Sequence, residues 1–199
     1  ANNMPLDAVV LDIDYMERYK DFTVDAQRFP RFADFAAEMK AQGIRLVPII
    51  DAGVKIEEGY DVYEEGVKNG YFCTNQDGTP FVAGVWPGRV HFPDMLNPEA
   101  RAWFGSQYKV LLDQGIEGFW NDMNEPASFR GELPADVVFH DEDRKTSHAE
   151  MHNVYGHYMS RATFEGLQKL TDKRPFVITR AAYAGTQKYS TVWTGDNQS

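Results

Sequence analysis

The 199-residue chain is 43% hydrophobic and 25% charged, a balance that excludes collagen-like and disordered classes and suits one large domain or two small ones. Its 30 Asp and Glu outnumber its 20 Lys and Arg, for a formal charge of -10, and a negative field of that size argues against a nucleic-acid partner. No apolar stretch in the sequence approaches the roughly 18 to 20 residues that a membrane span needs, so no membrane partner is expected.

In chain order, the first predicted element is an apolar strand over 7–13, ending in carboxylates. A helix follows from Pro30, with Phe32, Phe35, Ala36 and Met39 at i, i+3, i+4 and i+7, closed by Gly43. Residues 44–51 repeat the apolar strand. Residues 57–70 read as a weaker helix with Tyr60, Tyr63 and Val67 apolar, and 71–96 as a long loop. Asn97-Pro98 is an N-cap and N1 pair before Phe104, Tyr108 and Leu111, with Gly115 as the stop. A third strand covers 118–122 and a second long loop 126–146. Ser147 and Glu150 form a capping box ahead of Met151, Tyr155, Tyr158, Met159 and Ala162. Strands over 175–180 and 191–196 complete the pattern. Near-continuous apolar strands fit a parallel sheet buried on both faces, and their alternation with helices gives an α/β fold. Two architectures remain open on the residues alone. Polar strand ends before irregular loops suit a (β/α)₈ barrel, whereas the length suits a doubly wound sheet, since a full barrel takes about 250 residues.

Four of the five strand runs end on an Asp, namely Asp12, Asp51, Asp122 and Asp196, and the other ends on Arg180. Carboxylates are costly at the edge of a buried sheet. Capping of the next helix explains one such Asp, but four at equivalent places point to a site. Such a set serves either a divalent metal or a carbohydrate. The neighbours favour the carbohydrate. Tyr15, Trp86, Trp120, Phe129 and Trp193 lie at or near these strand ends and loops, and aromatic planes suit the apolar face of a sugar ring. No strand end carries the Lys or His base that metal-dependent proton abstraction uses. His91, His140, His148, His152 and His157 show no metal spacing, so no metal is expected. The lone Cys73 can form neither an internal disulfide nor a cysteine metal cluster, and it has no His to activate it.

The run Trp120-Asn121-Asp122-Met123-Asn124-Glu125-Pro126 resembles the nucleophile motif of glycoside hydrolase family 31, the α-glucosidase family. Leu11-Asp12-Ile13-Asp14-Tyr15-Met16 resembles an upstream substrate-binding motif of that family, and Pro48-Ile49-Ile50-Asp51 the end of its next barrel strand. Val85-Trp86-Pro87-Gly88 with Phe92-Pro93-Asp94 resembles the loop that brings a Trp to the site. Ile178-Thr179-Arg180 and Trp193-Thr194-Gly195-Asp196 resemble the segments bearing a substrate-binding Arg and the acid/base Asp. The resemblance is collinear from about residue 6 to 198.

The resemblance implies a (β/α)₈ barrel and a retaining exo-acting α-glucosidase, with a covalent glycosyl-enzyme and no metal or organic cofactor. Asp122 would be the nucleophile, held ionised with a low pKa by Arg180. Asp196 would be the acid and then the base, its pKa raised by the desolvating Trp193 and Trp86. Asp12, Asp51, Trp86, Met123, Arg180 and Trp193 would bind the substrate, an oligosaccharide or disaccharide ending in α-linked glucose. Glu125 is read as a group that holds the loop. Aligned by motif, the chain is expected to run from the second barrel strand to just after the sixth, as a partial catalytic barrel domain over 1–199. The family's flanking β-domains and a later substrate-binding His fall outside it, so the chain alone is expected to be poorly active and prone to self-associate. A carbohydrate-binding piece without turnover is the rival reading. No signal peptide is visible at Ala1-Asn2-Asn3-Met4-Pro5, and both a cytoplasmic protein and a secreted one without disulfides fit.

Overall fold

A computed structural model describes residues 4–141 and 143–196. Its elements are β1 (Ala8–Leu11), α1 (Phe32–Ala41), β2 (Arg45–Asp51), β3 (Val54–Lys55), α2 (Asp61–Asn69), β4 (Ala83–Val85), β5 (Gly88–His91), α3 (Pro98–Gln107), α4 (Lys109–Leu112), β6 (Gly118–Asp122), β7 (Val138–Asp141), β8 (Arg144–Ser147), α5 (His148–Met151), α6 (Tyr155–Leu170), β9 (Phe176–Thr179) and β10 (Thr191–Val192). The main sheet is parallel, in the order β1-β2-β6-β9-β10. This order follows the chain without reversal. A doubly wound sheet reverses at a switch point, whereas a (β/α)₈ barrel adds each strand beside the last. The architecture is therefore an arc of a barrel, and the ambiguity left by the sequence is resolved.

The central strands are buried as their apolar runs require. β2 is buried at every position after Arg45, and β6 at all but Trp120. β1 and β10, the outer strands among the described residues, are only partly covered, leaving Val10 and Val192 exposed. The predicted helices hold with small changes at their ends. α1 starts at Phe32 rather than Pro30. The helix after the Asn97 cap breaks at Tyr108 into α3 and α4. The Ser147–Glu150 capping box opens α5 as read from the sequence.

The two segments read as loops are not simply loops. Region 71–96 contains β4 and β5, which form an antiparallel sheet with β3 in the order β3-β5-β4. Region 126–146 contains β7 and part of its partner β8. Thr74 and Val138 exchange backbone hydrogen bonds of 3.1 and 2.8 Å, tying the two regions together. Their strands are short and rich in Gly and polar residues, which masks the alternation by which strands are recognised. Cys73 is fully buried here, and burial pushes its thiol well up, away from nucleophilic character.

Two contacts fix the scaffold. α3 crosses α6 at glycines. A Cβ on Gly166 would lie 2.4 Å from the Gly105 carbonyl oxygen, and one on Gly105 would lie 2.6 Å from that of Ala162. At the N-terminal ends of the strands, Glu117 accepts from Lys40 Nζ at 2.5 Å and Arg45 Nε at 2.8 Å, and also from Lys173.

Adding a methyl between backbones has no flexible atom to displace. Gly166→Ala should therefore destabilise the protein by about 3 kcal/mol, read as a lower melting temperature; an unchanged melt would show slack between the helices. Glu117 gives a pH-dependent test. Burial alone would raise its carboxyl, but the Lys173 and Lys40 contacts bring it down to about 2. A depressed folded pKa contributes stability above the unfolded value near ~4.3, and that stability fades as pH falls toward the folded one. Both lysines are largely exposed, so Glu117→Gln should cost only about 1 kcal/mol at pH 7, and the difference should vanish in melts near pH 2.

Candidate active site

The register of the sheet assembles the site. In the parallel pairing of β2 with β6, Ile49 faces Trp120 and Asp51 faces Asp122. Neighbouring strands lie about 4.8 Å apart, so Asp51 and Asp122 are adjacent and on one face. Asn121, between Trp120 and Asp122, points the other way, toward the helices. Its amide donates to Tyr108 Oη at 2.9 Å, Tyr108 meets Thr163 Oγ1 at 2.8 Å, and Thr163 returns to Asn121 Oδ1 at 3.0 Å. This closed, fully buried ring pins β6 and so aims Asp122. Beyond the strand, Asn124 donates to Thr179 Oγ1 at 2.9 Å and accepts from Ala181 N at 3.3 Å, locking the loop after β6 to the end of β9.

Arg180 follows β9 and reaches across this face. Its Nε and Nη2 both donate to Glu125, each at 2.9 Å, a bidentate pair that sets the plane of the guanidinium. Nη1 lies 3.4 Å from Asp122 Oδ2 and 3.5 Å from Asp196 Oδ2. Nε is also 3.3 Å from Asp122 Oδ1, but as a charge contact only, since its hydrogen is directed at Glu125 and Oδ1 has no hydrogen bond. Nη2 lies 3.2 Å from Met123 Sδ. Gly195, with φ +73°, lies against the Arg180 stem: a Cβ there would be 2.7 Å from Arg180 Cγ and Cδ. Glu125 thus holds the arginine as well as the loop.

The two carboxylates on Nη1 differ in setting. Asp122 is buried, whereas the Asp196 side chain is 80% exposed. Since both reach one nitrogen, their Oδ2 atoms can be no farther apart than the two distances laid end to end. That limit on the facing oxygens accommodates the ~5–5.5 Å separation of a retaining pair.

The charge balance departs from the sequence reading. Burial pushes the Asp122 carboxyl up to about 6, against the opposing pull of Arg180 and the Met123 backbone N–H. A nucleophile held well below the usual range is not what forms here, because burial raises the carboxyl more than Arg180 lowers it, and the Glu125 charge adds to the rise. Asp51 rises further, to about 7, by burial and then by the charges of Asp122 and Asp12, with Arg180 opposing. Among the described residues, the two indoles expected to desolvate Asp196 pack elsewhere. Trp193 turns to Trp120, edge to face at 5.2 Å, and Trp86 to Phe129 at 4.8 Å.

The remaining predicted residues fall as follows. Asp12 lies at the end of β1, exposed, and its carboxylate accepts from Ile13 N at 2.7 Å. It therefore caps a short 3₁₀ turn over Ile13–Tyr15 while remaining close enough to Asp51 to act on it. Met123 adopts φ 54°, unusual for a non-glycine residue. Trp86 is carried by the β4–β5 turn, half exposed. The loop after β6 docks on this hairpin through Phe129 N to Gly84 O at 2.8 Å. Tyr15, grouped by sequence with the site aromatics, belongs instead to the core, its hydroxyl donating to Ile49 O at 2.8 Å. Two residues escaped the sequence reading of the site. Trp120 was noted there only as a nearby aromatic; its Nε1 is buried without a partner among the described residues. Asp21, 1% exposed, accepts from Asp51 N at 2.8 Å. A cleft of about 210 Å³ between Lys40, Glu117, Leu167 and Lys173 lies at the other end of the strands, away from these groups.

The raised carboxyl of Asp51 has a thermodynamic sign. A carboxyl with a folded pKa above its unfolded value binds its proton more tightly when folded, so stability falls as pH rises between the two. The window runs from about 4 to about 7. Asp51→Asn should therefore raise the melting temperature at pH 8, by the equivalent of about 1–3 kcal/mol, and should change it little at pH 4. A lower melting temperature at pH 8 would show that the Asp51 charge is a net stabiliser.

Compared with known proteins, residues 1–199 match the model described as the glycosyl hydrolases family 31 TIM-barrel domain. The chain is 48% identical over 200 residues to "Alpha-glucosidase 2" of Bacillus thermoamyloliquefaciens, covering 99% of this chain and 25% of that protein. It is 40% identical to human "Neutral alpha-glucosidase C", covering 98% of this chain and 22% of the other. Among solved structures, a heterodimeric complex of ER glucosidase II, consisting of the catalytic subunit and the binding domain of the regulatory subunit, superposes with a TM-score of 0.91. Its identity is 36%, covering 98% of this chain and 22% of that one. The chain thus spans about a quarter of the length of the curated relatives it matches. The strand order, the row of carboxylates and this match over every residue agree: the chain belongs to glycoside hydrolase family 31.

Proposed function

We propose that this chain carries the catalytic centre of a retaining, exo-acting α-glucosidase that removes terminal α-linked glucose from oligosaccharides or disaccharides. The observation that carries the reading is the pair of unlike carboxylates, Asp122 buried and Asp196 exposed, on one nitrogen of Arg180. In this reading an oxygen of Asp122 attacks the anomeric carbon as its bond to the leaving oxygen breaks. Asp196 gives that oxygen its proton. Water then attacks the glycosyl-enzyme, and Asp196 takes back a proton.

The burial of each group suits its part. Asp122 at about 6 is mostly ionised near neutral pH, and a carboxylate of that basicity is a better nucleophile than one held at the bottom of the range. Asp196 is set beside Asp122 by the shared Nη1 of Arg180, where it can give up a proton in the first half-reaction and take one back in the second. Asp12 and Asp51 accept from the ring hydroxyls, and the unpartnered Trp120 Nε1 is a donor for one more. Trp86, Trp193 and Met123 form apolar walls. The α-glucosidase names of the relatives support the glucose end group.

In the full-length protein, a mechanism-based α-glucosyl reagent should label Asp122, read by peptide mass spectrometry. Asp122→Ala should abolish turnover of every substrate. Asp196→Ala should lose about 10²–10⁴-fold on a poor leaving group and far less on an activated aryl glucoside. Azide should partly restore the Asp196→Ala rate by attacking the glycosyl-enzyme without a base. Equal losses on good and poor leaving groups would remove Asp196 from the acid/base role.

A further inference from the structure

Asp21 lies beneath the site, and the sugar reading gives it no part. It is buried, its Oδ1 accepts the backbone N–H of Asp51, and its Oδ2 has no partner among the described residues. Its own carbonyl accepts from Tyr60 Oη at 2.7 Å. The turn that inserts it is unusual. Arg18, Tyr19 and Phe22 have φ of 51°, 60° and 61°, a left-handed cluster rarely occupied by non-glycine residues. Such backbone persists where its surroundings fix it, and it gathers at functional sites. Phe22 is wedged edge-on against Phe104 and Tyr108, at 5.3 and 5.0 Å.

The geometry points to Asp21 as a positioning residue for Asp51: it grips the Asp51 amide from below and so fixes where the Asp51 carboxylate meets the sugar. The inference rests on the reading of Asp51 as a hydroxyl acceptor. The chemistry of the grip follows from what faces it. Around Asp21 stand Asp51, Tyr15, Tyr60 and Tyr108. The adjacent Lys20 spends its ammonium on Glu17 and Glu57, at 3.2 and 3.3 Å. Around Asp51 stand Asp12, Asp122 and Arg180. Two buried, adjacent carboxyls do not both ionise. Asp51 has the guanidinium on its side, whereas Asp21 is raised well above the usual range by burial and then by Asp51. Asp21 therefore holds its proton the more firmly and works as a neutral carboxyl, while Asp51, at about 7, is the one of the two that ionises near neutral pH and can accept from a hydroxyl.

The test compares Asp21→Asn with Asp21→Ala in the full-length protein. Asn keeps an oxygen for the Asp51 amide and is uncharged; Ala keeps neither acceptor nor volume. Hydrogen exchange at the Asp51 amide should stay slow in Asp21→Asn and quicken in Asp21→Ala. With an aryl α-glucoside, and sites counted by covalent labelling, Asp21→Asn should stay within a few-fold of the parent, its acid limb unmoved. Asp21→Ala should lose about tenfold or more per labelled site, mostly in KM. Normal kcat/KM per labelled site in Asp21→Ala would make the residue merely structural. An acid limb shifted down by about a unit in Asp21→Asn would mean that Asp21 had been a carboxylate. Should Asp21→Ala not fold, Asp21→Asn decides alone: fast exchange at Asp51 or a large KM overturns the proposal. A parent without turnover would refute the glucosidase reading instead, and the exchange contrast would still decide the grip of Asp21 on Asp51.

Discussion

Like charges brought together in a buried place are the constraint on which this structure turns. The register of β2 against β6 sets Asp51 beside Asp122, and Asp12 and Asp196 stand close by. Asp51 and Asp122 are buried there and repel each other, and among the described residues the guanidinium of Arg180 is the cation that reaches both Asp122 and Asp196. That cation is itself held by Glu125. The consequence is a graded set of basicities. Asp51 lies near neutrality and Asp122 about a unit lower. A site that needs both an ionised carboxylate and an exchangeable proton gains from groups whose environments differ.

Holding such a set requires a scaffold that does not give. Asn121 illustrates the division of labour along one strand. Its neighbours Trp120 and Asp122 face the site, while its own amide is fastened to Tyr108 and Thr163 on the helix side. Those partners are fixed in turn by the close crossing of α3 and α6, where Gly105 and Gly166 bring the backbones into contact. Displacement of β6 along its axis would have to break this buried ring and separate the two helices together. Errors of about 1 Å between reacting groups cost about a hundredfold in rate, so rigidity behind β6 bears directly on chemistry in front of it.

What could be read from the sequence follows from how local each feature is. The Asp that ends β2, the Asp that ends β6 and the capping box at Ser147 are local features, and each holds in the structure, whereas the last strand stops at Val192 and leaves Asp196 four residues beyond it rather than at its end. The register that makes Asp51 and Asp122 neighbours joins positions in different strands, and no local pattern encodes it. Asp21 is the sharper case. In sequence it is a polar residue in a turn, and only the fold reveals that it sits under β2. The low pKa expected for Asp122 failed for a similar reason. Arg180 lies near it as expected, but the burial that the fold imposes on Asp122 outweighs that pull, and the nearby Glu125 charge adds to the rise. The strands within 71–96 and 126–146 pair with near neighbours, β4 with β5 and β7 with β8, but each is only three or four residues long and rich in Gly or polar residues, too short for alternation to show.

The two ends of the sheet divide stability and chemistry between them. At the N-terminal end Glu117 is surrounded by Lys40, Arg45 and Lys173, opposite charges that stabilise the fold. At the C-terminal end the same strands finish in carboxylates that raise one another's pKa, and there the charged state weakens the fold. β2 carries both, with Arg45 at one end and Asp51 at the other. Conserving net stability while concentrating negative charge at one end requires compensation elsewhere, and the same strand can supply it without disturbing the register that aligns the site. A change that neutralises the carboxylate end is then expected to stabilise the fold and, on the proposed function, to impair the chemistry together, because both effects come from the removal of one repulsion.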